Sequence, residues 1–285
     1  MSTASFEDLH LRYAREQVLT TPDGIQLYYE QYGAGPQLTI VNNYFLISPL
    51  WRNFTRELAL STSVLTYDLR NQGCSSPADG PLSFGQHVDD LIRLLDGLEV
   101  EQTYLLGTSI STLICRDLAA THPDRVRGLI LVGPVFNPYG ARRRKYLTRS
   151  WLKTLESSGP AGLFAHIYPL VFGDRTVENG ESAAFLALRE RFLALNSYEQ
   201  LRTNLAASLT TGDDPALLRK ITCPTLLLAG DGDFLCSGSS LRSIASLMPR
   251  ARVELVAFAG HVPYFENTDV FERSVLRFIE SVESS

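Results

Sequence analysis

The sequence predicts an α/β fold: a mostly parallel central sheet with helices on both faces, interrupted by an inserted run of helices. Three observations carry this expectation. Strand-like and helix-like segments alternate from about Gln17 to Val135, and the alternation resumes at Pro224. Between them, from about Pro138 to Ile221, there is no comparable strand run. The stretch Gly128-Leu129-Ile130-Leu131-Val132-Gly133 is apolar on both sides, as a strand in a parallel sheet covered on both faces must be. The expected organisation is a core of residues 1–137 and 222–285 with a helical cap, 138–221, inserted in it.

Each element has a local pattern behind it. Ile25 to Tyr32 and Leu38 to Asn42 read as strands, set off by the turn formers Pro22-Asp23-Gly24 and Gly33-Ala34-Gly35-Pro36. Pro49 to Leu60 has a helical pattern with proline in its first turn, where the missing N–H costs nothing. Val64 to Tyr67 is a short strand. Ser83 to Leu98 is an amphipathic helix, with Val88, Leu91, Leu94 and Leu95 on one face. A strand at 103–107 leads through a sharp turn into a helix ending near Ala120. The middle stretch divides into four or five helices at Gly159-Pro160, Gly173-Asp174, Gly180 and Gly212. Pro224 to Gly230 is a strand, Ser239 to Met248 a helix, Val253 to Phe258 a strand, and Val270 to Val282 the last helix.

Composition narrows the function. Of 285 residues 45% are apolar, enough for a sizeable core, and the net charge of −5 argues against a nucleic-acid footprint. Met1 to Thr20 mixes charges with apolar residues, so no secretory signal is expected, and no run of eighteen apolar residues suggests a membrane span. Cys74, Cys115, Cys223 and Cys236 are scattered, with no CxxC pair or Cys/His ligand cluster. The expectation is a cytoplasmic protein with reduced thiols and no metal.

In such a sheet, reactive groups gather beyond the carboxyl ends of the parallel strands. Ser109 comes after the strand at 103–107, Asp231 and Asp233 after Leu226 to Gly230, and His261 after the strand at 253–258. Serine at its free pKa is a poor nucleophile. It needs a base, and the base needs a carboxylate to fix its tautomer and steady its charged form. Alone, each residue has an ordinary reading: Asp231 and Asp233 as turn formers, His261 as a loop histidine, Gly107-x-Ser109-x-Ser111 as a chance spacing. Together, in the order Ser, Asp, His at three strand ends, they point to acyl transfer.

These segments resemble the α/β-hydrolase superfamily, in its capped, cofactor-free branch, over nearly the whole chain. "TTPDGIQLYYEQYGAGPQL" is similar to the family's opening hairpin, and "LTYDLRNQGCSS" to its D-x-R-G-x-G-x-S loop, with Asn71 where glycine is usual. "FGQHVDDLIRLLDGLEVEQTYLLGTSIS" resembles its helix, strand and nucleophile elbow, "PTLLLAGDGD" the strand bearing the acid, and "GHVPYFEN" the loop bearing the base. The resemblance implies Ser109 as nucleophile, His261 as general base and acid, and Asp233, rather than Asp231, as the orienting carboxylate. It also implies that no cofactor is needed.

Two positions depart from the family pattern. Ser111 stands where the elbow usually has its second glycine. Asn42-Asn43 stands where His-Gly is usual after the strand ending at Val41. Counting back from Trp51, which resembles the tryptophan of the family's next helix, places Asn42-Asn43 there, and the resemblance then implies the backbone N–H of Tyr44 as an oxyanion donor beside that of Ile110, which follows the nucleophile. Two readings of Asn43 stay open: a side-chain donor to the oxyanion, a role worth about 3 kcal/mol where established, or a holder of the loop.

Two cap features complete the reading. Arg142, Arg143, Arg144, Lys145 and Arg149 form a basic stretch, read either as a solvated helix start or as a patch steering an anionic substrate or a phosphopantetheine-bearing carrier. Tyr146, Trp151, Phe164, Tyr168 and Phe172 are read as cap core or as an apolar pocket lining, and His166 is the one further histidine of interest. The expected protein is a serine hydrolase cleaving an ester, thioester or related acyl bond of a small, largely apolar molecule bound under the cap. The expected partner is that small-molecule substrate, with a carrier protein or CoA thioester as a further candidate; nucleic acid and membrane are not expected. The open alternatives are a non-hydrolytic enzyme on the same scaffold (cyclase, carbon–carbon cleavage, acyltransferase) and a binding protein that has lost turnover.

Overall fold

The computed structural model describes residues 12–13 and 17–285. Among them, eight strands form one sheet: β1 (Val18–Thr20), β2 (Gln26–Gly33), β3 (Gln37–Val41), β4 (Ser63–Tyr67), β5 (Thr103–Thr108), β6 (Val126–Val132), β7 (Thr225–Gly230) and β8 (Ala251–Val256). Their order across the sheet is β1-β2-β4-β3-β5-β6-β7-β8. The first two pairings are antiparallel and the remaining five parallel.

Side-chain alternation divides the core into two layers. Leu105, Leu129, Leu131 and Leu227 face one side, where they pack with helix α1 (Phe84–Gly97) and helix α2 (Ser111–Thr121). Tyr104, Leu106, Ile130, Leu226 and Leu228 face the other, against the carboxyl-terminal helix Thr268–Glu283 through Phe271, Val275 and Phe278. Nearly all of these side chains are inaccessible to water. Truncating one, such as Leu106→Ala, removes contacts worth about 2–5 kcal/mol.

Between β6 and β7 the chain forms α3 (Arg142–Val171), α4 (Asp174–Asn179), α5 (Glu181–Leu195), α6 (Tyr198–Ser208) and α7 (Pro215–Lys220). Gly159, at φ 65°, breaks α3 before Pro160 as the sequence suggested. Asn196-Ser197 separates α5 from α6, a break the glycine pattern did not mark. Its signal was Ser197-x-x-Gln200: the Ser197 hydroxyl accepts the Gln200 N–H at 3.2 Å and caps α6. After β7 come α8 (Gly238–Ala245), α9 (Pro263–Glu266) and α10, the helix 268–283 already described.

Two expectations need correction. Pro49 to Leu60 is not one helix but two short 3₁₀ turns, Ser48–Asn53 and Leu58–Leu60. Side chains take the groups a continuing helix would need: Thr55 Oγ1 donates to the Trp51 carbonyl, and the Glu272 carboxylate accepts the N–H groups of Glu57 and Leu58. The strand expected at Val253 to Phe258 lies two residues earlier, because the chain turns at Phe258, which is exposed and has φ 59°. None of the described helices is long and apolar enough to cross a membrane.

Candidate active site

β5 ends in an abrupt turn that lifts one side chain above the sheet. Ser109 adopts φ 52°, a left-handed conformation that costs a non-glycine residue about 1–3 kcal/mol and persists only where the surroundings enforce it. Its N–H is held by the Val132 carbonyl of β6 at 2.8 Å. Gly107 leaves the space the returning chain needs; a Cβ there would lie 2.6 Å from Cys115 Sγ and 2.9 Å from the Ser111 carbonyl oxygen.

Ser111 does more than fit where glycine is usual. It is fully buried, and its hydroxyl accepts the Thr108 N–H at 2.8 Å. The same oxygen lies 2.8 Å from the Val41 carbonyl and 2.9 Å from that of Thr108, between which its single proton is shared. The side chain therefore ties the turn to the end of β3.

His261 reaches this turn from the loop after β8. Its Nε2 lies 2.8 Å from Ser109 Oγ, and its Nδ1 lies 2.9 Å from Asp233 Oδ2. The two oxygens of Asp233 divide their work: Oδ1 accepts the N–H groups of Leu235 and Cys236, each at 2.8 Å, leaving Oδ2 to the imidazole. Asp231 is exposed and takes no part. Gly133, at φ 57°, makes room for the ring; a Cβ there would stand 2.7 Å from His261 Cε1. The structure thus brings Ser109, His261 and Asp233 into one hydrogen-bonded line, with both His261 and Asp233 buried.

The wall opposite the imidazole is the segment after β3. Asn42 is fully buried, accepts the Trp51 indole N–H at 2.7 Å and donates to Asp68 Oδ1 at 3.2 Å. Asp68 also receives the Ser48 N–H and hydroxyl, the Cys74 N–H and the Tyr13 hydroxyl. Burial nevertheless pushes its carboxyl up to about 6. Asn43 donates to Thr108 Oγ1 at 3.0 Å and to Tyr264 Oη at 3.4 Å, and its Oδ1 accepts the Phe45 N–H. Both carboxamide protons are therefore spent on the protein. These bonds are the ones the loop-holding reading of Asn43 calls for. The backbone N–H groups of Tyr44 and Ile110 have no acceptor among the described residues and border the cavity that Ser109 faces.

Asn71 obeys the same logic. It adopts φ 65°, which asparagine tolerates better than most residues, and its Nδ2 donates to Asn204 Oδ1 of α6 at 3.0 Å. The side chain joins the loop after β4 to the inserted helices, which glycine could not do.

A residue the sequence did not single out joins the two halves of the site. Glu266 Oε2 accepts the Gly260 N–H at 2.6 Å, beside His261. Its Oε1 accepts the Gly173 N–H at 2.8 Å and the Thr176 hydroxyl at 2.7 Å. Burial raises its pKa against these three donors. The His261 N–H in turn donates to the Val171 carbonyl at 2.7 Å, so the histidine loop and the α3–α4 corner share one set of bonds.

Above Ser109 lies a cavity of about 170 Å³ walled largely by apolar side chains. Trp151, Phe164, Tyr168 and Phe172 line it, whereas Tyr146 is exposed. Arg191 is the one residue in its lining with a permanently charged side chain. His166 is exposed and does not line it. Arg144 leaves the expected basic surface: it is buried and paired with Asp213 at 3.0 Å. No group of three or more His, Cys, Asp or Glu side chains placed to hold a metal occurs among the described residues.

Known proteins share both the sequence pattern and the architecture. A sequence profile described as "Alpha/beta hydrolase family" matches residues 43–273. A protein named as a putative carbamate hydrolase, RutD, from Azorhizobium caulinodans is 29% identical over 259 residues, covering 90% of this chain and 96% of its own. Polyketide synthase ThaQ from Burkholderia thailandensis is 27% identical over 93% of this chain, which spans only 13% of that much longer protein. A hydrolase of known structure from Pseudomonas aeruginosa is 27% identical, superposes with a TM-score of 0.79, and covers 92% of this chain and 97% of its own.

Proposed function

The chain belongs to the alpha/beta hydrolase family, and from that premise we propose that it is a serine hydrolase cleaving an acyl bond through an acyl-enzyme. The scissile group is an ester or thioester whose acyl part is small and largely apolar. The observation that carries this reading is the line Ser109 Oγ–His261 Nε2–His261 Nδ1–Asp233 Oδ2, at 2.8 and 2.9 Å, opening on an apolar cavity.

Each step uses groups already in position. His261 Nε2 takes the Ser109 proton as Oγ attacks the carbonyl carbon, and Asp233 Oδ2 steadies the imidazolium that results. The carbonyl oxygen gains charge and moves toward the free N–H groups of Tyr44 and Ile110, each worth about 3 kcal/mol to the transition state. Collapse breaks the bond to the leaving group, which collects the proton from His261. Water, deprotonated by the same imidazole, then releases the acid and restores Ser109. The inserted helices, residues 138–221, serve as the cap that shields the acyl part. Asn42 and Asn43 hold the wall that presents the Tyr44 N–H, so the altered sequence there favours no separate non-hydrolytic reading.

A fluorophosphonate probe tests the proposal. We expect rapid labelling of the wild-type protein, none of Ser109→Ala, and turnover of a short p-nitrophenyl ester that Ser109→Ala lowers by about four orders of magnitude. A folded Ser109→Ala protein with near wild-type turnover would sink it.

A further inference from the structure

A second, smaller cavity of about 70 Å³ also reaches Ser109. The two meet at five shared residues, Ser109, Ile110, Thr148, Trp151 and Leu235, and then diverge. The larger runs under the inserted helices. The smaller is lined beyond that junction by Pro134, Val135, Asn137 and Arg143, among others. An acyl bond held at Ser109 has two sides, and the protein has a separate space for each.

The walls differ in chemistry. The smaller cavity has no acidic residue in its lining and two arginines. Arg144 is neutralised by Asp213, but Arg143 has no carboxylate partner among the described residues and is exposed, its guanidinium 3.4 Å from the Phe234 carbonyl oxygen. Arg142, Lys145 and Arg149, on the same turns of α3, also lack a carboxylate partner among the described residues. In a chain of net charge −5 this is a local excess of cations, and a concentration of one sign at a cleft selects for the opposite sign in the ligand. Exposed aromatic rings, Tyr139, Tyr146 and Phe234, accompany them. Apart from the arginines the lining is uncharged, and Asn137 Nδ2, which has no acceptor among the described residues, is available to an amide carbonyl.

We propose that the smaller cavity is a leaving-group subsite for a phosphopantetheine thiol, so that the substrate is an acyl thioester carried on that arm. This rests on the serine-hydrolase reading and deepens it. The arm has the required order: sulfur at the scissile bond, then a long neutral stretch with amide carbonyls, then phosphate at the basic surface. Ser109 Oγ bonds to the acyl carbon, the carbon–sulfur bond breaks, and the thiol leaves with the proton from His261. Water then releases the free acid, so thioester and water give acid and thiol, with no further reactant.

The test compares kcat/KM for one short acyl group presented on pantetheine, on 4′-phosphopantetheine, on CoA and on a phosphopantetheinylated carrier protein. We expect phosphopantetheine to exceed pantetheine by about tenfold at low salt, and the ratio to fall as salt rises. In Arg143→Gln the ratio should collapse toward one. Arg142→Glu, at an exposed position, carries the same comparison should Arg143→Gln fail to fold. A further gain with CoA or with the carrier names the natural source of the arm, and either supports the subsite. Equal rates with and without phosphate, or a preference untouched by both substitutions, overturns it. So does an enzyme that turns over esters but not thioesters. If Ser109 is not labelled and no ester is cleaved, it is the serine-hydrolase reading that fails instead.

Discussion

The loops at the ends of the sheet and the helices inserted between β6 and β7 build the same site by different means. At the sheet, position is fixed by backbone. Ser109 is held by Val132, Asp233 by the N–H groups of Leu235 and Cys236, and His261 by Val171, while Gly133 makes room for the imidazole. In the insert, beyond the Val171 and Gly173 bonds at the α3–α4 corner, the cavity wall is fixed by side chains against side chains. Phe192 lies 5.3 Å from Phe164 and 5.5 Å from Phe45 between ring centres, and several of its neighbours are only partly buried. Backbone hydrogen bonds specify one geometry, whereas apolar contacts accept any shape of the right volume. The proposed chemistry, which must be accurate to a fraction of an ångström, rests on the first, and the proposed selection among acyl groups on the second.

That contrast can be broken experimentally. Asp233→Asn and His261→Ala should each lower kcat on a p-nitrophenyl ester by about four orders of magnitude. Any insert substitution that matched this loss would erase the distinction.

Next in size is an acid sensitivity that belongs to the sheet layers alone. His87, on α1, is buried against Tyr44 and Phe84 with neither ring nitrogen hydrogen-bonded among the described residues. Burial, aided by Arg70, depresses its pKa from 6.5 to about 4. The unfolded chain therefore takes up the proton first, so the stability His87 contributes is full above 6.5 and is lost as pH falls toward 4, by up to about 3 kcal/mol. Asp68 has the opposite sign. Raised from 3.8 to about 6, it contributes fully below 3.8, and that contribution is lost as pH rises through about 6. His87→Leu should flatten the acid side of a Tm-against-pH curve. An unchanged curve would show that His87 is not the group responsible.

Glu266→Gln probes the seam between the regions. The replacement keeps one acceptor but turns an amide toward backbone N–H donors, costing about 1–3 kcal/mol. We expect kcat to fall by about ten- to a hundredfold, more than KM changes, with Glu266→Asp recovering part of it. A purely structural seam would lower Tm and leave kcat alone. The smallest effect is expected from Phe192→Leu, read as a shift of about tenfold in preference between acyl chain lengths, mostly in KM.

The same division governs how much the sequence disclosed. Strands and the meeting of Ser109, His261 and Asp233 were legible because alternation and strand-end position are local properties of the chain. Ser109, Asp233 and His261 could each be found just beyond the carboxyl end of an apolar run. Side-chain partnerships across the sequence were not legible. Asn43 bonds Tyr264, 221 residues away, and Glu266 bonds Gly173, 93 residues away; no spacing encodes such pairs. Arg144 illustrates the cost. By composition it belonged with its exposed neighbours, yet it turns inward to Asp213 and to carbonyl oxygens near the end of α6. The failed helix at 49–60 has the same origin, since the carboxylate that takes its N–H groups comes from residue 272.

The shared carboxylate of Glu266 has a mechanical consequence. One side chain grips the histidine loop with one oxygen and the α3–α4 corner with the other. A door hinged to swing open at that corner would drag the base away from Ser109 each time it moved. Traffic that leaves the machinery assembled has to cross a different threshold. Along α5, another wall of the cavity, Leu186 and Arg191 are exposed and Leu188 is only partly covered. The corner therefore couples the histidine loop to the insert.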